Sequence, residues 1–97
     1  MTDEDYLHLA LEQASLAEAL GEVPIGAILV ADGAIIASAH NRTVCDHDPT
    51  AHAEILALRA GGLVLGNHRM GGASLYVTLE PCIMCTGALI QARIDHL

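Results

Sequence analysis

The sequence predicts an α/β layer fold, with helices packed on a sheet. Three observations carry that expectation. Apolar and small residues recur at helical spacing over residues 3–20 and again over 51–60. Between them, "PIGAILVADGAIIASAH" holds two apolar runs that meet at Asp32-Gly33, the signature of a hairpin. After the second helix comes "SLYVTLE", a third strand, followed by an apolar helix from Cys82 to Ala92.

Each element has a local justification. In the first helix Leu7, Ala10, Leu11, Ala14 and Ala17 form one stripe, Thr2 or Asp3 can cap the start, and Gly21 can end it. A polar loop, "NRTVCDHDP", follows the hairpin. The second helix takes Thr50 as its cap and Gly61-Gly62 as its stop. The second and third helices are apolar almost all round, as in "CIMCTGALI", and a helix with no polar face is covered on both sides. The sheet covers one side, so something else must cover the other.

The chain has 97 residues, one domain at most. A chain of this size hides about 60–65% of its unfolded surface. An apolar content of 53% excludes intrinsic disorder. No run reaches membrane-spanning length: the longest, Val23 to Ala31, stops at Asp32. The acidic start "MTDEDYL" lacks the basic and apolar segments of an export signal. Three cysteines then imply reduced thiols or metal ligands, and a cytoplasmic location is expected. Of the net charge of −8, the first 22 residues carry −6 and the remainder −2, so the acidity belongs to the first helix and reads as a solvated face. Lysine is absent, which excludes a polybasic patch.

The chemistry lies in "PTAHAEILALRAGG" and "TLEPCIMCTGAL". His52 and Glu54 are two apart, roughly 200° around a regular helix, and could not share a helix face. The conflict disappears if the pair is built around a helix end, where first-turn side chains reach past the terminus. Cys82 and Cys85, three apart in the first turn of another helix, share a face. If the two helix tips converge, His52, Cys82 and Cys85 supply three ligands. Three ligands plus water is the catalytic zinc arrangement, whereas four protein ligands make a structural one. Glu54 is the carboxylate placed to take a proton from that water. Two other arrangements fit the residues. Cys82 and Cys85 could form a redox pair, or they could join Cys45 and His47 in a four-ligand structural site. His8, His40, His68 and His96 receive no role, and Met70 and Met84 read as packing residues.

His-x-Glu followed by Pro-Cys-x-x-Cys resembles the zinc-dependent nucleobase deaminases. Within that superfamily "GEVPIGAILV", "HDPTAHAEILALRAGG", "LYVTLEPCIMCTGAL" and "ARI" are similar to the tRNA-specific adenosine deaminases, over about Tyr6 to Ile94. The resemblance implies a three-layer α/β/α cytidine-deaminase-like fold, a hairpin plus parallel strands. The C-terminal strands and closing helix are missing, so residues 1–97 would be a single truncated zinc-dependent deaminase domain. It implies Zn2+ held by His52, Cys82 and Cys85, with Glu54 as the catalytic proton shuttle. Water would add at C6 of adenine and ammonia would leave. Asn41 and the backbone N–H of Ala53 would bind the substrate, an adenosine flipped from a tRNA anticodon loop and converted to inosine. The resemblance also implies a homodimer through helices 51–60 and 82–92, with no membrane partner. Deaminases of free bases or nucleosides, such as guanine or cytosine, share the zinc core and are the alternative substrate class, and an inactive zinc-binding remnant is a third reading. "RIDHL" reads as the start of a new strand, whose partner would come from a longer chain or another molecule.

Overall fold

The computed structural model describes residues 1–67, 69–78 and 83–92. The elements run α1 (Asp3–Ala19), β1 (Gly26–Ala31), β2 (Ala34–His40), α2 (Ala53–Leu65), β3 (Ala73–Val77) and α3 (Ile83–Ala92). β1 is the central strand, in the order β2-β1-β3.

Alternation along β1 divides the core. Ile28 and Val30 face α1, where they meet Tyr6 and Ala10. Ala27 and Leu29 face the other way, toward Ala53, Ala57 and Leu58 of α2. Successive strand side chains point to opposite faces, so one apolar strand serves two helical layers. α3 lies beside α2, and its Ala88 packs on the α2-side core. The result is the expected three layers.

The sheet differs from the expectation in strand direction. β1 pairs antiparallel with β2, from Gly26↔His40 to Ala31↔Ala34, and antiparallel with β3, from Ala27↔Val77 to Ala31↔Ala73. β2 and β3 do run the same way and are joined by α2, but β1 lies between them. The parallel relation is across β1, so among the described residues no two neighbouring strands are parallel. The strand expected at "RIDHL" lies outside the described residues.

The hairpin turn is as expected: Asp32 (φ 51°) and Gly33 (φ 75°) are both left-handed, the conformation a two-residue turn needs. α1 begins with a reciprocal capping box. Thr2 Oγ1 accepts from the Asp5 N–H, and Asp5 Oδ2 accepts from the Thr2 N–H. It ends with Gly21 at φ 77°, where Gly21 N–H donates to Glu18 O and Glu22 N–H to Ala17 O, a Schellman closure.

Two expected details are corrected. The buried stripe of α1 is Tyr6, Ala10, Ala14 and Ala17, while Leu7 (43%) and Leu11 (53%) are exposed. The reason is distance. A Cβ on Gly26 would collide with the backbone of Ala10 and Ala14, so α1 lies too close to the sheet for leucine at the contact. Second, the N-cap position of α2 is held by His52, not Thr50, and the helix runs through Gly61-Gly62 to a left-handed Gly66. Thr50 instead bonds Asp48, through both its N–H and its hydroxyl. Gly61 is a packing residue: a Cβ there would strike Leu29 of β1.

Candidate metal centre and active site

The site is built where the β2–α2 loop enters α2. That loop closes at its neck: Arg42 N–H donates to Ala51 O at 2.9 Å, and Ala53 N–H donates to Asn41 Oδ1 at 2.8 Å. His52 has extended backbone (φ −77°, ψ 150°) and precedes the first helical residue. Its side chain therefore leaves before the helical rotation begins, and no cap hydrogen bond to the helix ties it down. Glu54 is the second residue of α2. The two-residue spacing that a helix face could not use works at a helix end.

His52 Nδ1 lies 3.5 Å from Cys85 Sγ, in the first turn of α3, and Cys85 is fully buried. This separation tests the fit of a metal. With Zn–N of ~2.0–2.1 Å and Zn–S of ~2.3 Å, the edge of a tetrahedral site spans about 3.6 Å. The two donors already stand at that spacing, which also serves a thiol–imidazole hydrogen bond when no metal is bound. Cys82, the third expected ligand, lies outside the described residues. Among those residues no three His, Cys, Asp or Glu side chains gather as a metal cluster.

Glu54 supplies the second test. It is 3% exposed, and its Oε1 is the buried side-chain oxygen or nitrogen without a hydrogen-bond partner among the described residues. Leaving such an atom unsatisfied costs ~1–3 kcal/mol, and more when charged. An incoming water or substrate proton removes that cost, so the residues present fit a site completed by a ligand.

Asn41 is buried, and its Oδ1 is committed to Ala53. The Ala53 N–H expected to meet the base is thus engaged within the chain in this structure. Asn41 N–H in turn donates to Ile25 O, which ties the loop entrance to the residue before β1.

The four-ligand alternative is not what the described residues form. Cys85 meets His52, whereas Cys45 is exposed and its N–H donates to Glu22 Oε2 at 2.7 Å. The Glu22 carboxylate beside it, through hydrogen bonding and then burial, holds the Cys45 thiol above its ordinary range, the opposite of what a thiolate ligand needs. Glu22 itself is a group the sequence reading missed, having been counted with the solvated acids. It is 5% exposed and accepts from Thr43 Oγ1, Val44 N–H and Cys45 N–H. Burial pushes its carboxyl up, but these hydrogen bonds outweigh that and bring it below the usual range. No pattern in one sequence announces it, because two of its donors, Val44 N–H and Cys45 N–H, are main-chain groups.

The whole of residues 1–97 matches the cytidine and deoxycytidylate deaminase zinc-binding region. The chain belongs to that family. This deaminase-family chain is 52% identical over 96 residues to the tRNA-specific adenosine deaminase of Haemophilus influenzae, covering 98% of this chain and 56% of that protein. A structure from work on A-to-I editing by tRNA:A34 deaminases at the wobble position superimposes with a TM-score of 0.92. Its identity is 52%, and the match covers 94% of this chain and 70% of the other. The guanine deaminase of Bacillus subtilis superimposes with a TM-score of 0.95 at 41% identity, over 99% of this chain and 62% of that one. The deaminase-family chain spans about three-fifths of the length of the curated relatives it matches.

Proposed function

We propose that this chain is the zinc-dependent core of a hydrolytic deaminase that converts adenosine to inosine at the wobble position of tRNA. The observation that carries the reading is the buried Glu54 Oε1, without a hydrogen-bond partner among the described residues, on the same helix tip as the His52–Cys85 pair. His52, Cys82 and Cys85 would hold Zn2+, a ligand set that leaves one position open. Zinc bound there supplies an acidified water, whose pKa falls from ~15.7 to ~7. Glu54 is the general base and acid. Its Oε1 takes a proton from water and passes it to the ring nitrogen beside C6 as the water oxygen bonds to C6; it then takes the second proton from that new hydroxyl and gives it to the amine as the C6–N bond breaks, so that one water is consumed and one ammonia released. Asn41 orients the base. With Oδ1 fixed by the Ala53 N–H, its amide N–H is the group left to donate, and Ala53 acts through Asn41.

The choice of adenosine in tRNA is supported by the 52% identity to proteins bearing that name and by the A34-deaminase structure. A second reading, deamination of a free purine base, is favoured by the TM-score of 0.95 to a guanine deaminase. An inosine and ammonia assay offering an anticodon stem-loop beside adenosine, guanine, cytosine and cytidine decides between them. Inosine from the stem-loop is expected, and ammonia from guanine alone would overturn the tRNA reading. Homodimerisation is part of the same proposal, supported by exposed Leu63 and Val64 on α2 and Ile90 on α3. Sedimentation showing a monomer at micromolar concentration would remove it. A cytoplasmic location follows from the tRNA substrate and from reduced thiols. No described helix is long and apolar enough to cross a membrane.

A further inference from the structure

We infer that Glu22 is a positioning residue for the site on the far face of the sheet. It holds the β2–α2 loop in the shape that presents Asn41, His52 and Glu54. The inference rests on the deaminase reading for its purpose but not for its geometry.

Four observations support it. First, the backbone of Glu22 is fixed: its N–H closes the Schellman end of α1 on Ala17 O. α1 therefore presents this side chain as a rigid post. Second, the carboxylate is 5% exposed, and the ion pairs among the described residues, Arg42–Asp46 and Arg59–Asp48, leave it out. A buried carboxylate without a cation is held by hydrogen bonds. All of those described come from one short segment: Thr43 Oγ1 at 3.3 Å and Val44 N–H at 3.1 Å to Oε1, and Cys45 N–H at 2.7 Å to Oε2.

Third, among the described residues, 43–45 make no other hydrogen bond outside their own loop, and residues 43–47 include no buried apolar side chain, the buried Ala51 lying at the neck. Val44 is 65% exposed, and Cys45, Asp46 and His47 are exposed. Fourth, the loop is stiff enough to transmit a displacement. Asp46 N–H donates to Arg42 O, His47 N–H to Val44 O, Asp48 N–H to Thr43 O and Ala51 N–H to Asp48 O. The chain of bonds then reaches the neck, where Arg42 meets Ala51 and Asn41 meets Ala53, one residue either side of His52. Loosening residues 43–45 would thus let the N-terminus of α2 shift, and His52 with it; groups bonded directly to a metal ligand change metal affinity about 10–100-fold when lost, and Glu22, which acts through the loop, is expected at the low end of that range.

The test uses Glu22→Gln and Glu22→Ala in the 97-residue chain, with Thr2→Ala as control, since that substitution weakens α1 at its opposite end. Zn2+ affinity is read by competition with a chromophoric chelator, and amide exchange at Val44, Cys45 and Ala53 by NMR. The expected result is a zinc affinity roughly tenfold lower in Glu22→Gln and lower still in Glu22→Ala. Faster exchange is expected at all three amides, with Thr2→Ala leaving both readouts unchanged. Faster exchange at Val44 and Cys45 with Ala53 and the zinc affinity unmoved would overturn the inference, because the clamp would then be local. If neither variant folds, the wild-type protein still decides. Cys45 and Ala53 amides opening with protection within about threefold of each other support a single unit, and Ala53 exchanging only through global unfolding refutes it. Neither readout requires turnover, so failure of the deaminase assay would not be mistaken for failure here.

Discussion

The two faces of the sheet treat polar groups differently. On the α1 face they close locally: Thr2 and Asp5 cap each other, Gly21 and Glu22 close the last turn of α1, and Tyr76 O–H donates to Asp3 Oδ1 at 2.6 Å. On the α2 face they stay open at one place. His52 occupies the cap position without a side-chain cap bond, and Glu54 is buried with an oxygen that has no partner among the described residues. Both faces pack on the same strand, and both use alanine at the contact. One helix is finished as a structural layer, and the other departs from the usual capping rules at its N-terminus, the kind of departure the proposed active site calls for.

The largest expected effect breaks that contrast at the open end. Glu54→Gln should lower kcat by ~10²–10⁴-fold, the range for loss of a positioned acid–base group, with zinc content unchanged. It should not lower the midpoint of thermal unfolding, because the oxygen Oε1 has no hydrogen bond to lose among the described residues. Turnover near the wild-type rate, or a marked loss of stability, would make Glu54 a structural carboxylate.

The next comparison sets glycine against glycine. Gly26 lets α1 approach β1, and Gly61 lets α2 approach the same strand from the other side. An added Cβ at Gly26 meets backbone, including Ala14 N at 2.6 Å, which cannot yield without moving the helix. At Gly61 it collides only with the end of the Leu29 side chain, which has more room to give than a helix backbone even though Leu29 is buried. Gly26→Ala should therefore cost ~1–3 kcal/mol or more from overpacking. Gly61→Ala should fall within about 1 kcal/mol of neutral, because alanine regains ~1 kcal/mol of helix propensity there. Urea denaturation of the two variants checks the order, and equal costs would refute the distinction.

The same residues show what a single sequence can reveal. The hairpin was legible because Asp32-Gly33 is a local turn signal, and the helix-end geometry of His52 and Glu54 followed from an angular conflict that only a terminus resolves. Gly61-Gly62 misled because a glycine pair reads as a stop, whereas here one of the two is the price of close packing on Leu29, and the left-handed end falls four residues later at Gly66. Leu7 and Leu11 misled for the reciprocal reason. Hydrophobicity favours burying leucine, but the gap between α1 and β1 admits alanine. Parallel strands were implied by the resemblance, and β2 and β3 do run the same way. No local pattern in the sequence shows that β1 sits between them. Glu22 was invisible because its partners lie 21 to 23 residues away and two of them are main-chain amides.

The smallest effect sharpens the comparison on the closed face. Tyr76 reaches across from β3 to α1, with its ring 4.9 Å from that of Tyr6, and its hydroxyl bonds Asp3. That bond, then burial, pushes the Tyr76 phenol from 10.0 up to about 12. A group whose folded pKa is raised binds its proton more tightly when folded, so its contribution is fully present below pH 10 and is lost as the pH rises from there through 12. Removing the hydroxyl in Tyr76→Phe should cost about 1 kcal/mol at pH 7, the usual worth of one hydrogen bond. The difference between wild type and Tyr76→Phe should hold constant to about pH 10 and shrink above it, a comparison in which the other groups titrating in that range cancel. Zinc affinity should be the same in both proteins, because this bond lies on the α1 face of the sheet, away from the His52–Cys85 pair. If Tyr76→Phe instead weakened zinc binding as Glu22→Gln is expected to, then α1 as a whole, and not the Glu22 carboxylate at its end, would be setting the geometry of the site.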